Sequence, residues 1–228
     1  LDPDGLSHTT DAVSLEDSAV IVVSKSGSTA EVQVGVAHLR AACAERELRL
    51  APRAVAVTCE SSRLDRLAED EDWRGCLPLW PWVGGRTSLF SSAALLTAEV
   101  AGVDVDGLLE GARLMDAATR RENPEENPAA LLALAWHLAQ ADRPRAMVVL
   151  PYRDRLQLFG RYLQQLVMES VGKAHDRSGT AAHHGLTVYG NKGTTDQHAI
   201  VQQLREGPDD CFVTTLEVFG GSPGVSLD

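Results

Sequence analysis

The chain has 228 residues, enough to bury a large core in one large domain or two smaller ones. It is 44% hydrophobic and 23% charged, as ordinary globular chains are, and no run approaches the roughly 18 apolar residues of a membrane span. The net charge of −11 argues against a nucleic-acid or anionic-membrane surface, either of which needs a basic field, but a small anion can still be held by a few local donors.

The opening residues, Leu1-Asp-Pro-Asp-Gly5, have no basic start and no apolar stretch, so no signal peptide is read there and the expected location is the cytoplasm. Cys43, Cys59, Cys76 and Cys211 are scattered without metal-ligand spacing, which predicts free thiols.

Ala19-Val-Ile-Val-Val23 is a β-branched run that fits a strand buried on both faces of a parallel sheet. It leads into Ser24-Lys-Ser-Gly-Ser-Thr29 and then a helical pattern to about residue 45, with the next strand over 54–58. Helices are expected over 88–100 and 105–120. Glu122-Asn-Pro-Glu-Glu-Asn-Pro128 is a polar break, in which Asn127 can cap a helix beginning at Pro128. A second alternation follows: a strand over 147–150, a long helix from about 154, a strand over 186–189, a helix through 203 and a strand over 212–218. This pattern predicts an α/β fold with mostly parallel sheets. The division read from it is 1–121 for a first domain, 122–145 for a linker and bridging helix, 146–219 for a second domain, and 220–228 for a loose Gly/Ser/Pro-rich tail.

Four segments could carry chemistry. Ser24-Lys25-Ser26-Gly27-Ser28-Thr29 places four hydroxyls at a helix N-terminus, a reasonable phosphate cradle. Capping by Ser28 or Thr29 is the alternative, and it accounts for one or two of the hydroxyls. Val83-Gly84-Gly85-Arg86 combines close backbone approach with a permanent cation, although a glycine turn with a solvated arginine reads the same way. In the helix containing Leu156, Phe159, Leu163, Leu166 and Val167 as its apolar stripe, Glu169 falls roughly 120° from the stripe's centre and can face either a cleft or solvent. Gly190-Asn-Lys-Gly-Thr-Thr-Asp-Gln-His198 is a glycine-rich loop entering a helix that Thr194 or Thr195 can cap, with His198 in its first turn. His183 and His184 lie nearby without a metal-binding pattern, so no metal site is assigned.

Together and in this order, these segments resemble the glucose-6-phosphate isomerase family, built from sugar isomerase (SIS) domains. Asp2-Pro-Asp-Gly5, the Ser-Lys-Ser-Gly loop, Val83-Gly-Gly-Arg86, Met168-Glu-Ser-Val-Gly-Lys173 and Gly193-Thr-Thr-Asp-Gln-His198 carry the resemblance, the last two most specifically. It implies two SIS-type doubly wound lobes, both incomplete here. It implies an aldose–ketose isomerase interconverting glucose 6-phosphate and fructose 6-phosphate through an enediolate. In that scheme Ser24, Ser26 and Thr29 hold the phosphate, Arg86 stabilises the enediolate, Glu169 moves the proton between C2 and C1, and His198 assists ring opening. The resemblance also implies a homodimer with a shared active site, reached by His198 from the partner subunit, and no metal or organic cofactor. The family's first Gly-Gly-Ser phosphate loop and its C-terminal lysine have no counterpart, so the chain is read as truncated at both ends. A non-catalytic SIS-type sugar-phosphate-binding module and an inactive remnant are the competing readings.

Overall fold

The structure is a computed structural model that describes residues 2–220. Leu1 and, apart from Gly220, the tail expected to be loose lie outside the described residues. The described residues form two compact units, divided between Ala112 and Arg113.

The first unit opens with helix α1 (Pro3–Asp11), begun by Asp2, whose side chain accepts from the Asp4 amide ahead of a proline in the first turn. Strand β1 (Val20–Val23), helix α2 (Ala30–Glu45), strand β2 (Ala54–Thr58), helix α3 (Arg63–Asp70) and strand β3 (Gly75–Pro78) follow. The strands form a parallel sheet in the order β1-β2-β3, with Val20 opposite Ala54 and Val55 opposite Gly75. Because the chain steps across this sheet in one direction, right-handed crossovers put α2 and α3 on the same face. Val22, Ala54 and Ala56 accordingly share one buried cluster with Val36 and Cys43 of α2 and Leu64 and Ala68 of α3.

Neither α3 nor β3 is among the elements expected from sequence. The helix is short and strongly charged, and its start signal is local: Ser62 Oγ accepts from the Asp65 amide, while the Asp65 carboxylate accepts from the Ser61 amide. Strand β3 has no β-branched residue and exists because β2 offers it an open edge. A 3-10 turn (Gly85–Phe90) leads into α4 (Ser92–Val100), and α5 (Val105–Thr119) follows.

The second unit contains α6 (Pro128–Leu138), β4 (Ala146–Pro151), α7 (Phe159–Val171), the hairpin β5 (Lys173–His175) and β6 (Ala181–His184), β7 (Val188–Gly190), α8 (Gln197–Glu206) and β8 (Cys211–Leu216). Asn127 caps α6 as expected, its side-chain oxygen accepting from the Ala129 and Ala130 amides. Its amide nitrogen also donates to the Thr119 and Arg121 carbonyls, so one side chain serves the end of α5 and the start of α6. The sheet order is β7-β4-β8, all parallel, and β4 is buried from Met147 to Pro151. Here the chain reverses direction about β4, so two right-handed crossovers send α7 and α8 to opposite faces. That reversal puts the topological switch point, where α/β sheets bind ligands, at the carboxyl ends of β4 and β8. Hairpin β5–β6 is antiparallel, so the fold is α/β with mostly parallel strands. Among the described residues, no helix is long and apolar enough to cross a membrane.

Candidate functional site

The serine-rich loop follows β1 at the carboxyl edge of the first sheet. Its backbone is pinned on both sides: the Ser24 amide donates to the Val57 carbonyl, and the Lys25 and Ser26 carbonyls accept from the Cys59 and Arg63 amides. Gly27 is required twice over. Its φ is +68°, and a Cβ there would lie 2.6 Å from the Leu64 amide nitrogen. Ser24 is buried, and its Oγ accepts from the Gly27 amide at 3.0 Å, so part of its work is to shape the loop. Ser26 and Ser28 are exposed, with their hydroxyls 2.6 Å apart. Thr29 is the N-cap of α2 but makes no side-chain capping bond. Capping therefore does not account for its hydroxyl.

The loop after β3 ends at the same edge. Trp80 and Trp82 stack with ring centroids 5.2 Å apart and planes 8° from parallel. They border a cavity of about 590 Å³ that Thr58, Glu60, Asp65 and Cys76 also line. Partial desolvation of the sulfur and the neighbouring Asp65 carboxylate push the Cys76 thiol up to about 11. The next residues form the turn that carries half-buried Arg86, with the Gly84 carbonyl accepting from the Thr87 amide and hydroxyl. Neither glycine of the pair is left-handed, and a Cβ on Gly85 would meet nothing within 4 Å. Lys25 joins the two loops: its Nζ donates to the Pro81 carbonyl at 2.7 Å and the Val83 carbonyl at 3.0 Å. This role of Lys25 is not legible in the sequence, because carbonyl partners 56 and 58 residues away leave no local signal.

In the second unit, Glu169 lies in the last turns of α7 and is exposed, with Gln165 Nε2 donating to its Oε2 at 3.3 Å. Val167 is buried and Leu163 packs on the same core, in keeping with the expected stripe. His198 is the second residue of α8 and is exposed. The expected cap is corrected here: the N-cap is Asp196, and neither Thr194 nor Thr195 caps the helix. Thr194 sits at φ +69°, inside a turn closed from Asp196 N to Lys192 O, and the Asp196 carboxylate reaches back to the Lys192 amide.

This loop is tied to the chain leaving β4. The Asn191 and Gly193 amides donate to the Val149 and Pro151 carbonyls, and Tyr152 Oη donates to Gln197 Oε1 at 2.8 Å. Lys192 Nζ pairs with Asp154 at 2.5 Å, which holds the Asp154 carboxyl below its ordinary value. His183 and His184 belong to the hairpin strand β6.

The architecture defines an α/β protein with polar, glycine-containing loops at the carboxyl edges of two parallel sheets. The chain belongs to the phosphoglucose isomerase family, whose model matches residues 1–212. It is 52% identical over its whole length to a glucose-6-phosphate isomerase of Geotalea daltonii and 48% identical, over 99% of its length, to one of Desulfitobacterium hafniense strain Y51. It spans 43% of the length of each of these relatives. Among solved structures, a glucose-6-phosphate isomerase from Chlamydia trachomatis superposes with a TM-score of 0.86 at 30% identity, over 94% of this chain and 42% of that one. A hypothetical protein from Thermus thermophilus gives a TM-score of 0.83 at 31% identity, over 97% of this chain and 55% of that one.

Proposed function

We propose that the chain supplies part of the active site of an isomerase that interconverts glucose 6-phosphate and fructose 6-phosphate. The observation that carries the reading is the meeting, at one sheet edge, of a hydroxyl-rich loop before a helix N-terminus and a Gly-Gly-Arg turn. Ser24, Ser26 and Thr29 take the phosphate, helped by the amides and dipole of α2. Glu169 removes the proton from C2 of the open-chain aldose and returns it to C1, while the C1 carbonyl oxygen becomes a hydroxyl and C2 becomes the carbonyl. Arg86 offsets the charge on the enediolate oxygens between these steps. His198 exchanges protons during ring opening, from the partner subunit of a homodimer, in the cytoplasm. The reaction is an internal redox exchange between C1 and C2 and, as the family resemblance implies, calls on no metal or organic cofactor.

The test is Glu169→Gln in a full-length, dimeric form. Gln keeps the side chain's shape but cannot accept the proton, so kcat should fall by at least ~10²–10⁴-fold while substrate binding persists. Exchange of the C2 hydrogen with D2O, followed by NMR, separates an isomerase from a sugar-phosphate-binding module, which binds without exchange. Full activity in the variant would remove Glu169 as the base.

A further inference from the structure

We infer that Lys25 is a positioning residue, whose ammonium ties the Gly-Gly-Arg turn to the serine loop so that an anion captured at one fixes the other. The coupling to an anion rests on the phosphate reading above; the tie itself does not. In a chain with 32 acidic residues, this lysine is bound by two main-chain carbonyls rather than by a carboxylate. Its own main chain is immobilised, because its carbonyl accepts from the Cys59 amide and the Thr58 hydroxyl, each at 3.3 Å. The side chain therefore reaches out from a fixed point.

What it grips leads into the adjacent Gly84 and Gly85, beside local hydrogen bonds from the Val83 amide to the Trp80 carbonyl and from the Ser88 hydroxyl to the Gly85 carbonyl. Two adjacent glycines lose more conformational freedom on ordering than any other pair, and no side chain of their own packs to hold them. The Val83 carbonyl belongs to the peptide plane shared with Gly84, so the hydrogen bond from Lys25 sets that plane's orientation. The Gly84 carbonyl then begins the turn by accepting from Thr87, and Arg86 lies within that turn. A chain of contacts thus runs from Ser24 through Lys25 and the 83–84 peptide to Arg86. Charge-assisted hydrogen bonds of this kind are about twice as strong as neutral ones. Lys25 acts on Arg86 through the backbone and need not touch substrate.

The experiment is hydrogen–deuterium exchange on the 228-residue chain, with and without inorganic phosphate, comparing wild type, Lys25→Met and Lys25→Arg. Without phosphate, Lys25→Met should speed amide exchange over 81–90 by about tenfold, leaving strand β2 (54–58) unchanged, and Lys25→Arg should restore part of the protection. With phosphate, wild type should gain protection over both 24–32 and 81–90, whereas Lys25→Met should gain it over 24–32 alone. A merely structural lysine would not sever that transfer. Unchanged exchange over 81–90 in Lys25→Met, or phosphate protection that still spreads there, overturns the inference. If phosphate protects neither segment in wild type, the phosphate assignment falls and the tie stands or falls on the phosphate-free comparison. If fast exchange in β2 shows that Lys25→Met has unfolded, Lys25→Gln replaces it under the same criteria.

Discussion

Gly160 of α7 and Gly190 of β7 meet backbone to backbone: a Cβ on Gly160 would lie 2.4 Å from the Gly190 Cα, and one on Gly190 would lie 2.5 Å from the Gly160 carbonyl carbon. Neither has a positive φ, so space and not conformation requires glycine. The contact presses α7, which carries Glu169, onto the strand that opens the His198 loop. Gly160→Ala should force the two apart and destabilise the second unit by about 1–3 kcal/mol, read as a lower urea midpoint. Gly111→Ala is the control: it lies within α5 with nothing within 4 Å of the new methyl, so it should stabilise by about 0.5–1 kcal/mol.

Asn127 serves two helices, so its removal should cost more than the loss of one cap. Asn127→Ala should lower stability by about 1–2 kcal/mol, measured by thermal unfolding. Asn127→Asp keeps the acceptor for the Ala129 and Ala130 amides but loses the donor to Thr119 and Arg121, and should fall between.

Cys76 is exposed yet should react slowly. With its thiol held near 11, its thiolate fraction at pH 8.5 is about a hundredfold below that of an unperturbed cysteine, and alkylation should slow accordingly. Asp65→Asn removes the adjacent charge and should raise the rate, followed by mass spectrometry of the 76-containing peptide. Equal rates in both proteins would leave Asp65 without influence on the thiol.

Acid should weaken the second unit through specific carboxylates. Arg145 holds Asp142 below its ordinary value, Lys192 does the same for Asp154, and Ser178 leads the groups that lower Asp176. Each folded-state value lies below the unfolded one, so the contribution is present above the unfolded value near 4 and is lost as pH falls through the folded one. Urea midpoints taken from pH 6 down to pH 3 should therefore drop. Asp154→Asn should flatten the curve, since it removes one of the three titrating groups.

His198→Asn in a full-length, dimeric form should slow isomerisation of the cyclic sugar more than of open-chain substrate, because the proposed work of His198 precedes proton transfer. Stopped-flow turnover starting from each form measures the difference. Equal slowing on both would move His198 out of ring opening.

Five of the eight described strands and most helices were legible because their signals are local, whereas β3 and the hairpin β5–β6 were not expected. β-branched runs mark β1, β2 and β4, and Asn127-Pro128 announces α6 through groups one to three residues apart. The positions of the serine loop, Arg86, Glu169 and His198 along these elements could be read in the same way, since motif order follows the chain. The start of α8 could not: Thr194 and Thr195 are good capping types, but the loop's ties to β4 set Thr194 left-handed and hand the N-cap to Asp196.

By itself the sequence determined an alternation of strands and helices with polar, glycine-rich loops at strand ends, because burial patterns, caps and turn residues act within a few positions. Only the tertiary structure decided that β3 pairs with β2, that Gly160 and Gly190 touch, and that Lys25 holds the turn of Arg86. Those contacts join residues from 20 to 58 positions apart, and each depends on sheet order and strand register. No local preference encodes a partner that arrives only when the sheet has closed.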